Sequence, residues 1–216
     1  MSTIFYIDTS EAVSQILLMN EHEIIARRSN IQQQDHGSQI NLHLADMLKE
    51  AQKSWENIDA VAVLNGPGSY TGLRISLATA KGICYAKELP LILLNKLDLH
   101  SAQVIGSTDM NFAVVLKARE QEYFSAFYKA DGETLHSPSL RIEEDIKKLL
   151  NQEQAEIFST DDNLQEFFPE IALIEPTEEV IHRTVWKNFI EKKWADLVHA
   201  EPFYLKNVFI NKINKL

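Results

Sequence analysis

The chain has a single cysteine, Cys84, in 216 residues. A disulfide framework is therefore excluded, and a reducing compartment is expected. Glycine and proline are scarce, at 7 and 6 residues, so the chain is not of low complexity and a local cluster of them carries information. Cations are also short: 21 Lys and Arg stand against 31 Asp and Glu, for a formal net charge of −10. Phosphate repels such a chain, which argues against autonomous binding to nucleic acid or to an anionic membrane; a nucleic-acid role would need a basic partner. No apolar run approaches membrane-spanning length, and Met1 to Asp8 has no basic segment ahead of its apolar residues. A cytoplasmic protein without membrane contact is expected. The 7 histidines include no i,i+4 pair and no His-Glu-x-x-His, so no metal site is expected from spacing.

What is present is 45% hydrophobic residues, enough for a proper core in one large domain or two small ones. The most informative stretch is Asn65 to Arg74, Asn-Gly-Pro-Gly-Ser-Tyr-Thr-Gly-Leu-Arg. It follows an apolar run, Asp59 to Leu64, that reads as a buried strand, and it precedes Leu73, Leu77, Ala80 and Cys84 on one helical face. Gly66, Gly68 and Gly72 can take positive φ, and Ser69 or Thr71 can cap the helix. The turn is a candidate anion site formed by Gly66, Gly68, Ser69, Thr71, Gly72 and Arg74, because backbone N–H groups converge at a helix N-terminus. Its glycine spacing is one residue too long for the dinucleotide fingerprint, and no Gly-Lys-Ser/Thr follows as a P-loop needs. The bland alternative is a turn that only turns. Arg74, in the first helical turn, calls for a carboxylate or phosphate partner. Ser69 is not in a Gly-x-Ser-x-Gly setting, so hydrolase chemistry has no support.

Read in order, Thr3 to Asp8, Val13 to Met19 and Glu23 to Ser29 are three successive strands. Ser38 to Lys53 is an amphipathic helix with Ile40, Leu44, Met47, Leu48 and Ala51 on its apolar stripe and Ser38 as its cap. The glycine-turn strand and the helix Gly72 to Glu88 complete a β-β-β-α-β-α unit, and Leu91 to Leu94 opens another strand. The order then repeats, with strands Phe112 to Lys117, Glu122 to Lys129 and Thr134 to Leu140, a helix Glu143 to Leu150 and a strand Ala155 to Ser159. A last helix opens near Thr177 and buries Ile181, Val185, Phe189 and Ile190. The tail from Lys206 carries Lys206, Lys212 and Lys215 with no acidic residue, a local basic edge or a frayed end.

Two such halves, placed at residues 1–105 and 106–216, describe an α/β protein of the actin-like ATPase and sugar-kinase type with mixed sheets. In that class a first-strand carboxylate handles a metal-bound water and nearby hydroxyls meet phosphate. Asp8, Thr9 and Ser10 occupy those places as a candidate vestigial nucleotide site. No glycine follows them, however, and Glu11 adds a negative charge that would repel phosphate.

With these stretches placed, the chain resembles the TsaB (YeaZ) family over nearly its whole length. The carriers are Ile7-Asp8-Thr9-Ser10, the signature Gly66-Pro-Gly-Ser-Tyr-Thr-Gly-Leu-Arg74, and Glu201-Pro-Phe-Tyr-Leu-Lys206, which is similar to the family's Glu-Pro-x-Tyr-Leu-Arg. Lys117-Ala118-Arg119 departs from the usual Asp-Ala-Arg. The resemblance implies a dimerisation subunit of the bacterial apparatus that makes threonylcarbamoyladenosine at position 37 of tRNA. Its catalytic relative TsaD carries a metal-binding His-x-x-x-His after an Asn. Here that stretch reads Asn95-Lys96-Leu97-Asp98-Leu99-His100, and the Lys96 ammonium cannot be a ligand while protonated.

The resemblance thus implies a non-catalytic, glycoprotease-like scaffold with no cofactor and no catalytic residue of its own. It would pair with a TsaD homologue, be joined by the ATPase TsaE, and meet tRNA only through the complex. Partner-facing candidates are Leu42, Ala45, Ile75, Thr79 and Ile83, on the second faces of the two N-terminal helices, which are more apolar than solvated faces need. The same face favours a homodimer in isolation. The competing expectation is an ATP-dependent phosphotransferase or carbamoyl-transfer enzyme of the actin-like class acting alone through Asp8.

Overall fold

In a computed structural model the described residues are 2–30 and 36–204. They form two five-stranded sheets with the same connectivity. The first contains β1 (Thr3–Asp8), β2 (Ser14–Asn20), β3 (Ile24–Asn30), β4 (Ala60–Gly66) and β5 (Leu91–Asn95) in the order β3-β2-β1-β4-β5. β1 pairs antiparallel with β2, β2 antiparallel with β3, β1 parallel with β4, and β4 parallel with β5. The second contains β6 (Phe112–Lys117), β7 (Glu122–Tyr128), β8 (Thr134–Ile142), β9 (Glu156–Ser159) and β10 (Ala172–Leu173), and the same four relations recur. The duplication that element order predicts is therefore real at the level of topology.

Alternation along β1 decides which helices cover which face. Phe5 and Ile7 point to one side with Val61 and Val63, against α1 (His36–Glu50) and α2 (Tyr70–Lys87). Ile40, Leu44, Met47 and Leu48 of α1 and Leu77, Ala80 and Cys84 of α2 complete that layer, as their helical spacing requires. α1 starts at His36, two residues before Ser38, and the side chain of Ser38 lies outside the described residues. Ile4 and Tyr6 point to the other side, where Leu99 of α3 (Lys96–Val104) and Val180, Ile181 and Val185 of α5 (Glu178–Ile190) cover them. The last helix of the chain thus packs on the first sheet. Ile190 is 62% exposed rather than buried, because α5 ends there and its final turn projects past the layer. The outer face of the second sheet is covered by α4 (Glu143–Glu153), through Ile146.

The helix that sequence periodicity did not mark, α3, is the pivot of the architecture. Leu97 and Val104 pack on the second sheet with Phe112, Val114 and Tyr128, whereas Leu99 packs on the first. Asp98 accepts a 2.8 Å hydrogen bond from the Tyr128 hydroxyl, and Gln103 accepts one of 3.0 Å from the Thr177 N–H at the start of α5. A nine-residue helix therefore serves both sheets, and its remaining face, with Lys96 and His100, opens on the cleft between them. Among the described residues, no helix is long and apolar enough to cross a membrane.

Candidate functional site

The cleft between the sheets encloses about 720 Å³. The end of β1 brings Asp8 to it, the following turn Glu11, the glycine turn Pro67 and Gly68, and α3 Lys96 and His100. Asp8 Oδ1 accepts the Ser10 N–H at 2.7 Å, which folds the turn back on itself. Burial holds the Asp8 carboxyl above its ordinary value, with the Lys96 ammonium opposing that shift. Lys96 has only 7% of its side chain exposed, and its ammonium forms an ion pair with Glu11. Glu11, whose charge was expected to repel a ligand, is thus answered by a lysine brought from 85 residues away. His100, one helical turn after Lys96, is pushed down to about 3 by burial and by the Lys96 charge. It is a neutral imidazole at physiological pH, and its buried Nδ1 has no hydrogen-bond partner among the described residues.

The glycine turn packs tightly against the Thr9–Ser10 turn. Ser69 N–H donates to the Ser10 carbonyl at 2.8 Å, and the Thr9 hydroxyl donates to the Gly72 carbonyl at 2.6 Å. A Cβ at Gly72 would lie 1.7 Å from the Thr9 carbonyl oxygen, and one at Gly68 would lie 2.6 Å from Ser10 Cβ. All three glycines can take positive φ, and of the three Gly66 does, at +123°. Gly68 and Gly72 are required for close approach instead. Ser69 caps α2, accepting the Gly72 N–H at 3.3 Å; Thr71 sits exposed inside the first turn. The two candidate ligand loops therefore meet each other, with backbone of one against backbone of the other.

Arg74 lies away from the cleft. Its guanidinium stacks over the Tyr70 ring at 4.0 Å, and its Nε–H donates to the Tyr204 hydroxyl at 2.9 Å. Tyr204 closes a segment that runs back along α2. Ala195 bridges to Leu91, Lys81 Nζ donates to the Val198 and Ala200 carbonyls, and the Phe203 N–H donates to the Asn65 carbonyl at 2.7 Å. The two sequence signatures, 66–74 and 201–206, are thus in contact; Leu205, Lys206 and the lysine tail lie outside the described residues. Of the partner-facing candidates, Leu42 is 58% exposed and Ala45 is exposed. Ile75, Thr79 and Ile83 are half-buried, with Ile75 and Ile83 resting on the α1–α2 core. Sequence reading noted Glu11 and Lys96 separately but not their pairing, and it missed Lys81 and the cleft residues Asp161, Asp162 and Glu175. Lys81 left one local sign, a cation in the middle of a largely apolar helix.

Two lobes of repeated topology around a central helix, with the first-strand carboxylate at the cleft between them, define a fold of the actin-like ATPase and sugar-kinase type. A profile of the family described as TsaD, tRNA N6-adenosine threonylcarbamoyltransferase, matches residues 23–175. The chain belongs to that family, and within it to the TsaB (YeaZ) members. It is 26% identical over 223 residues to the tRNA threonylcarbamoyladenosine biosynthesis protein TsaB of Escherichia coli, with 94% of each chain covered. It is 41% identical over 73 residues to the tRNA N6-adenosine threonylcarbamoyltransferase of Ligilactobacillus salivarius, a match covering 33% of this chain and 21% of the other. The solved structure of YeaZ from Pseudomonas aeruginosa superposes with a TM-score of 0.78 at 21% identity, over 95% of this chain and all of that one, and shares its fold.

Proposed function

We propose that this chain is the non-catalytic, TsaD-binding subunit required for threonylcarbamoyl transfer to adenosine 37 of tRNA. The observation that carries the reading is the Lys96–Glu11 ion pair at the head of α3. A tethered ammonium stands where a bound cation would serve chemistry, and a lysine already engaged with a carboxylate is a poor metal ligand. The contact between the glycine turn and Thr9–Ser10 supports the same reading, because it leaves those backbone groups serving each other rather than a phosphate. The active site then belongs to the TsaD homologue. TsaE joins that pair, tRNA is met only through the assembly, and the isolated chain forms a homodimer in the cytoplasm without a cofactor of its own.

The partner face of this proposal is the exposed side of α1 and α2, with Leu42, Ala45, Ile75, Thr79 and Ile83. Leu42 and Ala45 are exposed there, and Ile75, Thr79 and Ile83 are half-buried beside them. The test is threonine-dependent modification of tRNA in a mixture of the cognate TsaD and TsaE homologues and threonylcarbamoyl-adenylate synthase, with and without this chain. Modification that needs the chain, with no magnesium-dependent ATP turnover by the chain alone, is the expected result. Modification at full rate without it, or turnover lost on Asp8→Asn, returns the chain to the stand-alone phosphotransferase class.

A further inference from the structure

The cleft between the lobes is left unused by the scaffold role, and its lining is chemically one-sided. Among the described residues, Asp8, Glu11, Asp161, Asp162 and Glu175 line it against two ammonium groups, Lys96 and Lys117. Lys96 is spent on Glu11, and the imidazole of His100 is neutral. Among the described lining residues, five carboxyl groups thus stand against two ammonium groups, and Lys96 serves Asp8 as well as Glu11. A nucleotide, with its phosphates, meets the wrong sign of charge here.

A second observation points to a ligand rather than to a merely acidic surface. His100 lines the cleft and is 4% exposed, and its Nδ1 has no partner among the described residues. A buried polar atom without a hydrogen bond is costly and calls for one. The carboxylates are also dispersed. They come from the end of β1, from the helical turn Asp162–Glu166 and the residue before it, and from the segment ahead of α5. Among the described residues no group of three or more His, Cys, Asp or Glu could hold a metal ion. Between the charges the lining is apolar and aromatic, with Tyr6, Leu64, Leu99, Leu116, Phe124 and Ile181. Carboxylates beside apolar walls match ammonium groups separated by methylene chains, and aromatic faces attract such cations further.

We propose that the inter-lobe cleft binds a linear organic polyammonium ion of the diamine to triamine kind. One ammonium is held at Asp8 and His100 Nδ1, and another at Asp161, Asp162 and Glu175 of the facing lobe. The ligand bridges the two lobes and neutralises the cleft. A cation beside Asp8 also opposes the upward shift that burial gives its carboxyl. The site is independent of the tRNA role proposed above.

The experiment is calorimetric titration of the full chain with spermidine and putrescine at physiological ionic strength, with magnesium chloride at matched ionic strength and ATP as comparisons. Saturable one-to-one binding of spermidine, tighter than putrescine and absent for ATP, is expected. The exposed pair Asp162→Asn and Glu175→Gln, which leaves the core untouched, weakens it by about fivefold per lost charge. Removing two charges outside the cleft, with Glu144→Gln and Glu191→Gln, leaves it unchanged. His100→Leu weakens it as well, with native circular dichroism as the check on folding. The proposal is overturned by absence of saturable spermidine binding, by equal competition from magnesium, or by equal loss in the two double variants.

Discussion

Arg74 and Tyr204 are separated by 130 residues, yet the Arg74 Nε–H donates to the Tyr204 hydroxyl at 2.9 Å. The rings of Tyr204 and Tyr70 lie 5.2 Å apart beside the same guanidinium. This contact fastens the end of the described chain to the first turn of α2, at the glycine turn. Both tyrosines keep 37% of their surface, so the cluster ties down a segment rather than building core. Tyr204→Ala is expected to shift the thermal midpoint by under about 2 °C. The same change should speed amide exchange at Phe203 by about tenfold or more, since its N–H reaches Asn65 only while the segment is seated. Tyr204→Phe, which keeps the ring, should lose less. Unchanged exchange in Tyr204→Ala would show that the segment is held by Lys81 and Ala200 alone.

Two glycines on α2 should respond in opposite ways to one methyl group. Gly72→Ala drives a Cβ to 1.7 Å from the Thr9 carbonyl oxygen, which is backbone and cannot rotate away. It is expected to destabilise by about 3 kcal/mol or more and to separate the glycine turn from the β1 turn. Among the described residues nothing lies within 4 Å of where a Cβ on Gly82 would stand, and Gly82→Ala should stabilise the helix by about 0.5–1 kcal/mol. Urea unfolding of the two variants decides both signs.

Much of the layer structure was legible in the sequence because it rests on local periodicity. Phe112 to Lys117 is a strand at both expected ends, and Leu73, Leu77, Ala80 and Cys84 are buried on one face of α2. The topology of the second half followed from repetition of element order. What failed to show was anything set by distant partners. α3 has no apolar stripe because its nine residues serve two sheets and a cleft at once. The pairing of Lys96 with Glu11 and that of Arg74 with Tyr204 both depend on chain crossings that no window of sequence contains. Gly68 and Gly72 were read as conformational residues, whereas contact with Thr9 and Ser10, invisible locally, fixes them.

His100 should make stability fall as the pH is lowered below neutrality. Its pKa drops from an ordinary 6.5 to about 3 in the folded chain, chiefly through burial and then through the Lys96 charge. Between those values the unfolded chain binds a proton that the folded chain refuses, so acid favours unfolding. The slope reaches about 1.4 kcal/mol per pH unit well below 6.5 and vanishes above it. Asp8 acts in the opposite sense, since its raised carboxyl takes up a proton more readily in the folded state. Denaturant midpoints at pH 7 and pH 5 should therefore differ in the wild-type chain, and His100→Gln should flatten the difference. An equal difference in the variant would assign the acid sensitivity elsewhere.

The exposed side of α1 and α2 offers the sharpest separation between stability and assembly. Leu42 is 58% exposed and Ala45 is exposed as well, while the stripe formed by Leu44, Met47 and Leu48 is buried on the opposite side of the same helix. Replacing Leu42 by Glu and Ala45 by Arg places charges on solvent, so folding stability should stay within about 0.5 kcal/mol of the wild type. If this face carries the partner, those charges become buried and unpaired on association, and affinity for the cognate TsaD homologue should fall by about 30-fold or more. Self-association measured by light scattering should weaken in parallel, because the face proposed for the partner is also the one proposed for the homodimer. Loss of the homodimer with the heterodimer intact would split the two faces, and survival of both would move the interface off these helices.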